Sequence, residues 1–167
     1  MAVRQIFPMQ NNFRNMREEG ICTISSLQWA KRCLELHRGI GEYAELLLSE
    51  HQLNALMAVW RRYDNQPVEQ TRGMGLRLVR EKVITKIQDV QEMHQFVAAN
   101  APYIAIFWNS FHTMGYRIGQ NGTEFEWFDK NHGLYVADNF QDLELKMKSY
   151  MMMNYKERII GVRVVQI

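Results

Sequence analysis

Ser110-Phe111-His112-Thr113-Met114-Gly115-Tyr116-Arg117-Ile118, Gly119-Gln120-Asn121-Gly122 and Thr123-Glu124-Phe125-Glu126-Trp127-Phe128-Asp129 form one continuous stretch, and its reading decides the fold. An Asn-Gly pair between two runs of aromatic and branched residues signals a β-hairpin, because Asn and Gly tolerate the left-handed backbone that a tight turn requires. With the turn closed by Gly119 to Gly122, positions whose numbers sum to about 241 face each other across the pair. His112 then stands opposite Asp129, which sets an imidazole beside a carboxylate.

The sequence on either side extends this hairpin into a sheet. Tyr103 to Trp108 and Leu134 to Val136 are strand-like, a helix follows from about Phe140 to Tyr150, and Arg158 to Ile167 ends the chain as a strand rich in branched residues. Residues 101–167 therefore read as an antiparallel sheet with one helix. Residues 20–100 read as a helical half. From Cys22 to about His37 the residues Ile24, Leu27, Ala30 and Leu34 recur at helical spacing, and Gly39 and Gly41 stop the run. A second helix covers about Glu42 to Tyr63, broken near Ser49, which caps a new turn, and a third helical region, in one piece or two, covers about Leu76 to Ala99. Residues 1–19 are polar and read as a leading loop. Helices first and an antiparallel sheet second is the α+β class, and 167 residues suit a single domain.

Hydrophobic residues make up 47% of the chain and charged residues 23%, the balance of a globular protein rather than a disordered or membrane-embedded one. No apolar run approaches the roughly 18 residues of a spanning helix, and the first residues lack the apolar core of a secretory signal. A net charge of +2, with basic residues interspersed among acidic ones, argues against a nucleic-acid partner. Cys22 and Cys33 lie on one predicted helix, roughly 16 Å apart at 1.5 Å per residue, too far for a disulfide. Two free thiols fit a reducing compartment.

Gly20-Ile21-Cys22 stands where the leading loop meets the first helix. Free backbone N–H groups and the positive end of the helix dipole stabilise a thiolate there and raise its nucleophilicity at neutral pH. Thiol catalysis needs that thiolate, an imidazole to share its proton, and a third group to orient the imidazole; Cys22, His112 and Asp129 are the residue types required. Each also has a structural reading: cysteine is commonly buried, a strand histidine is commonly satisfied in place, and an aspartate after a strand commonly opens a turn. The conjunction of the three, in order and in the right elements, favours catalysis. His132 competes as the base, while His37, His51 and His94 fall in helices and Cys33 reads as core. No His or Cys spacing suits a zinc site, so neither metal nor cofactor is expected.

The order Cys, His, Asp, with the cysteine opening a buried helix and the other two on an antiparallel sheet, resembles that of papain-like cysteine peptidases. More closely, Gly20-Ile21-Cys22, Ser110 to Arg117, and Trp127-Phe128-Asp129-Lys130-Asn131-His132-Gly133 resemble the three motifs of the YopT/AvrPphB-type cysteine protease family of bacterial effectors. Lys130 stands in place of that family's proline, and His132 in place of its aromatic residue. The resemblance implies a papain-like fold with the nucleophile helix packed on a C-terminal antiparallel sheet, and acyl transfer through a thioester on Cys22. The oxyanion donors it implies are the Cys22 backbone N–H and a side-chain amide from the preceding loop, Asn15 first and Gln10 second. The same architecture hosts glutamine deamidases and, more distantly, transglutaminases, so the expected function is thiol-dependent hydrolysis of a protein amide, as a cysteine protease or a deamidase. An acyltransferase and a catalytically inactive binding protein are the alternatives. The partner implied is a protein substrate in a host or competitor cell. The route implied is synthesis in the bacterial cytoplasm and secretion of the toxin or effector without a signal peptide.

Overall fold

The computed structural model describes residues 3–9, 18–46, 49–63 and 66–167. The hairpin forms from β4 (Thr113–Ile118) and β5 (Phe125–Asp129). Asn121 and Gly122 take left-handed backbone angles, φ 69° and 65°, as the Asn-Gly signal requires. The turn sits one residue later than the sequence suggests, since the Gly119 N–H still reaches back to the Glu124 carbonyl at 2.6 Å. Each β4 residue therefore faces a β5 residue two places further on than expected, Gly115 opposite Phe128 and Ile118 opposite Phe125. A shift of two preserves the face on which every side chain lies. His112 and Asp129 become diagonal neighbours instead of directly opposed ones.

Around the hairpin stand β3 (Ile104–Trp108), β6 (Gly133–Ala137) and β7 (Gly161–Gln166), with β1 (Val3–Pro8) and β2 (Arg77–Val83) at the two edges. The order is β1-β6-β5-β4-β3-β7-β2, and every neighbouring pair is antiparallel. Two expectations are corrected here. The leading loop of residues 1–19 contains β1, and of the third helical region expected in the helical half of residues 20–100 only the second part is helical, its first part being β2. Both are edge strands, paired on one side only, and β2 is mostly exposed. Such a strand shows no clean alternation, and Arg, Glu, Lys and Leu in β2 are good helix formers; pairing with the valine-rich β7 overrides that propensity.

Helices cover both faces of the sheet. On one lie α1 (Glu18–Leu36) and α2 (Glu50–Arg62), whose Ile24, Leu27, Trp29 and Leu53 share an apolar cluster with Ile104, Ile106 and Phe128. On the other lie α4 (Asp89–Ala98) and α5 (Phe140–Asn154), whose Met93, Val97, Leu143 and Met147 pack with Phe107, Tyr116 and Trp127. Alternate residues of one strand thus feed two separate cores. A short 3-10 turn (Tyr43–Leu46) precedes α2, and α3 (Pro67–Gly73) packs against α2 and β2. Ser49 caps α2 as expected: its hydroxyl accepts the Gln52 N–H while the Gln52 side chain accepts the Ser49 N–H.

The approach of α1 to β4 determines where Cys22 stands. Trp29 lies flat on Phe128, with ring centroids 5.6 Å apart and planes 4° apart. It can lie there because Gly115 has no side chain; a Cβ at that position would run into the Trp29 ring. Among the described residues no helix is long and apolar enough to cross a membrane.

Candidate active site

At the end of the sheet where β4 begins and β5 ends, three local structures converge. The connection from β3 to β4 is closed by Asn109, whose Oδ1 accepts the N–H groups of Phe111 at 2.8 Å and His112 at 2.9 Å. This side-chain turn fixes the backbone from which the His112 side chain projects. Asp129 ends β5 and opens the turn into β6: its Oδ1 accepts the Asn131 N–H at 2.8 Å, and its carbonyl accepts the His132 N–H at 2.9 Å. Helix α1 is stitched to the start of β4 by contacts between the Thr23 and Thr113 hydroxyls at 3.1 Å and from Ser26 Oγ to the Thr113 carbonyl at 3.3 Å.

These supports bring Cys22, His112 and Asp129 together. His112 Nε2 lies 2.7 Å from Asp129 Oδ1, and His112 also hydrogen-bonds Cys22. With Nε2 given to the carboxylate, Nδ1 is the ring nitrogen left for the thiol. The Thr113 N–H points at Cys22 Sγ from 3.3 Å and adds a donor to any charge that develops there. Cys22 is 1% exposed, His112 3% and Asp129 0%, so the three interact with little screening by water. Burial pulls the His112 pKa down, but the hydrogen bonds to Asp129 and Cys22 and their charges outweigh it and push it up to about 9. The imidazole is therefore held as its cation at neutral pH.

The remaining sequence expectations fare differently. Helix α1 begins at Glu18, which places Cys22 one turn inside the helix instead of at its first residue. Regular helix geometry turns the Cys22 N–H toward the carbonyl four residues back, so as an oxyanion donor it competes with a helix bond. Asn15 and Gln10 lie outside the described residues. His132 packs its ring edge-on to Tyr150, centroids 4.2 Å apart, and burial lowers its pKa. Cys33 sits in the apolar cluster beneath α1, where burial, reinforced by the Glu126 charge, raises its pKa well above the ordinary thiol value. Among the described residues no group of three or more His, Cys, Asp or Glu side chains converges as metal ligands do.

Several residues at the site carry no signal in the sequence. Thr113 acts through backbone groups that meet Cys22 and Ser26 only after α1 packs on the sheet. Tyr155, just beyond α5, sets its hydroxyl 3.0 Å from Asp129 Oδ2 and its ring 4.7 Å from that of His112. Its distance along the chain from both partners hides this contact from local pattern.

No protein-family model matches the chain, and no curated protein matches it. Among solved structures, the fold is similar to that in the crystal structure of the Pseudomonas avirulence protein AvrPphB, with a TM-score of 0.53 and 18% sequence identity over 100% of this chain and 97% of that one. The chain thus shares its papain-like mixed helix and antiparallel-sheet fold with AvrPphB.

Proposed function

We propose that this protein is a thiol-dependent hydrolase that acts on amide bonds of a protein substrate, as a cysteine protease or a glutamine deamidase. One observation carries the reading: His112 is held between Asp129 and Cys22, with its Nε2 2.7 Å from the carboxylate and its pKa raised to about 9. With the proton of the pair resting on His112, Cys22 attacks the amide carbon as a thiolate. The tetrahedral intermediate collapses as the C–N bond breaks and imidazolium gives its proton to the departing nitrogen. Water, deprotonated by His112, then attacks the thioester carbon, and its collapse releases the carboxyl product and restores the Cys22 thiolate beside protonated His112. Asp129 orients the ring and stabilises its charge throughout. The oxyanion is met by an amide side chain from the segment before Cys22, Asn15 first and Gln10 second. Cleavage and deamidation share every step and differ in whether a chain amine or ammonia leaves. Similarity to the fold of an avirulence protein supports a role as a bacterial effector, made in the cytoplasm and delivered to a target cell.

A second reading, a binding protein that keeps the fold without catalysis, is favoured by the burial of Cys22 at 1% exposure. The two readings separate on one experiment, the rate of Cys22 alkylation by iodoacetamide from pH 5 to 10 in Cys33→Ser and in Cys33→Ser/His112→Ala. The hydrolase reading expects appreciable alkylation at pH 6, lost in the histidine variant. A thiol that is inert, or indifferent to His112, overturns the hydrolase reading in favour of the binding protein. With reactivity established, mass spectrometry of a modified substrate distinguishes a cleaved chain from the roughly 1 Da gain of deamidation, and incorporated amine would mark the acyltransferase alternative.

A further inference from the structure

Tyr155 touches both members of the His112–Asp129 pair, at the atoms that their own bond leaves open. Asp129 Oδ1 is shared by His112 Nε2 at 2.7 Å and the Asn131 N–H at 2.8 Å, while the Tyr155 hydroxyl donates to Oδ2 at 3.0 Å. The Tyr155 ring lies over the imidazole, with centroids 4.7 Å apart and planes inclined by 23°. We infer that Tyr155 is a positioning residue for His112, holding the imidazole in the orientation that presents Nδ1 to Cys22; this rests on the hydrolase reading above.

Each half of the side chain removes a different freedom. The terminal torsion of a carboxylate is broad and roughly two-fold, so donors on Oδ1 alone leave Asp129 free to rock. A donor on Oδ2 pins it. The histidine ring torsion is equally soft, and a ring stacked on one imidazole face blocks rotation away from the carboxylate. That ring also keeps water from the His112–Asp129 bond, which strengthens it, and an aromatic face favours imidazolium over imidazole.

Tyr155 is itself fixed from behind. Its N–H closes on the Met151 carbonyl at 2.9 Å as the C-cap of α5, and the Tyr150 ring meets it edge-on, centroids 5.7 Å apart. The Asn131 side-chain amide reaches its hydroxyl at 3.4 Å. Burial, then the Asp129 charge, raises the phenol pKa, so the hydroxyl keeps its proton and remains a donor across the working pH range. Among the described residues the titratable groups facing this cluster include Cys22, His132, Tyr135, Tyr150 and Asp129 itself, and all of these are unchanged in the test.

The test compares Tyr155→Phe, which keeps the ring and loses the hydroxyl, with Tyr155→Leu, which loses both, each in the Cys33→Ser background. Cys22 alkylation by iodoacetamide is followed at pH 6 and pH 9.5, with circular dichroism to establish the folded fraction. At pH 6, where reactivity depends on an imidazolium beside the sulfur, Tyr155→Leu is expected to lose roughly 10- to 100-fold. Tyr155→Phe is expected to lose roughly 3- to 10-fold at the same pH. At pH 9.5, above the free-thiol value of about 8.5, the three proteins converge to within about 3-fold. Equal losses at both pH values, or no loss at pH 6 in either variant, overturn the positioning role, and the Phe variant decides if the Leu variant does not fold. Failure of the hydrolase reading shows separately, as wild-type reactivity at pH 6 that ignores His112→Ala.

Discussion

In the hydrolase proposed, His112 is the residue whose charge state governs both stability and reaction. Its folded pKa of about 9 lies above the ordinary imidazole value, so between pH 6.5 and 9 the folded protein binds a proton that the unfolded chain releases. Stability from this group is complete below about pH 6.5 and is lost as pH rises through 9. The advantage in melting temperature of the wild type over His112→Ala should therefore be several degrees larger at pH 6 than at pH 9.5, on the order of the shift that a few kcal/mol produces, while the packing of the neutral ring on Tyr155 keeps a residual gap. A gap that stays constant with pH would refute the raised pKa. Turnover should also fall above about pH 9, because neutral imidazole has no proton for the leaving nitrogen. The residue types at this site were legible in the sequence, since a cysteine, a histidine and an aspartate in that order match what thiol chemistry needs. The groups that hold them from elsewhere were not, because the Thr113 N–H and the Tyr155 side chain act through contacts made only by the folded chain.

At the scale of elements, the hairpin was legible because its turn chemistry is local, and its register was read two places off because the turn shifted by one residue. The error left the face of every side chain unchanged, which is why His112 and Asp129 still meet. Helix α1 depends on a contact that no local pattern reveals, the bare backbone of Gly115 beneath Trp29. Gly115→Val should push α1 off β4, lower stability by roughly 1–3 kcal/mol, and reduce Cys22 alkylation at pH 6 even in the fraction that remains folded. Urea unfolding measures the first effect, and an unchanged midpoint would mean that α1 does not depend on this close approach. The edge strands β1 and β2 leave no local signature because their defining partners, β6 and β7, lie far along the chain.

For the whole molecule, the sheet divides the interior into two apolar clusters, one under α1 and α2 and one under α4 and α5. Trp29 belongs to the first and Trp127 to the second, and both are 0% exposed. If residues 1–167 fold as one domain, Trp29→Ala and Trp127→Ala should each lower the single unfolding transition by roughly 3–5 kcal/mol, with fluorescence and circular dichroism coincident. Two separable transitions would show that the clusters are independent units. What the sequence determined by itself was whatever depends on neighbours along the chain: the Asn-Gly turn, the Ser49 cap, the helical spacing of α1, and the order of Cys22, His112 and Asp129. What only the tertiary structure decided was whatever needs a partner from elsewhere: the two edge strands, the two-sided core, and the clasp of Tyr155 on the His112–Asp129 pair. The division is physical, because turn and cap energies come from backbone angles and hydrogen bonds spanning a few residues. Edge pairing, burial and the raised His112 pKa come from groups that meet only when the whole sheet has closed.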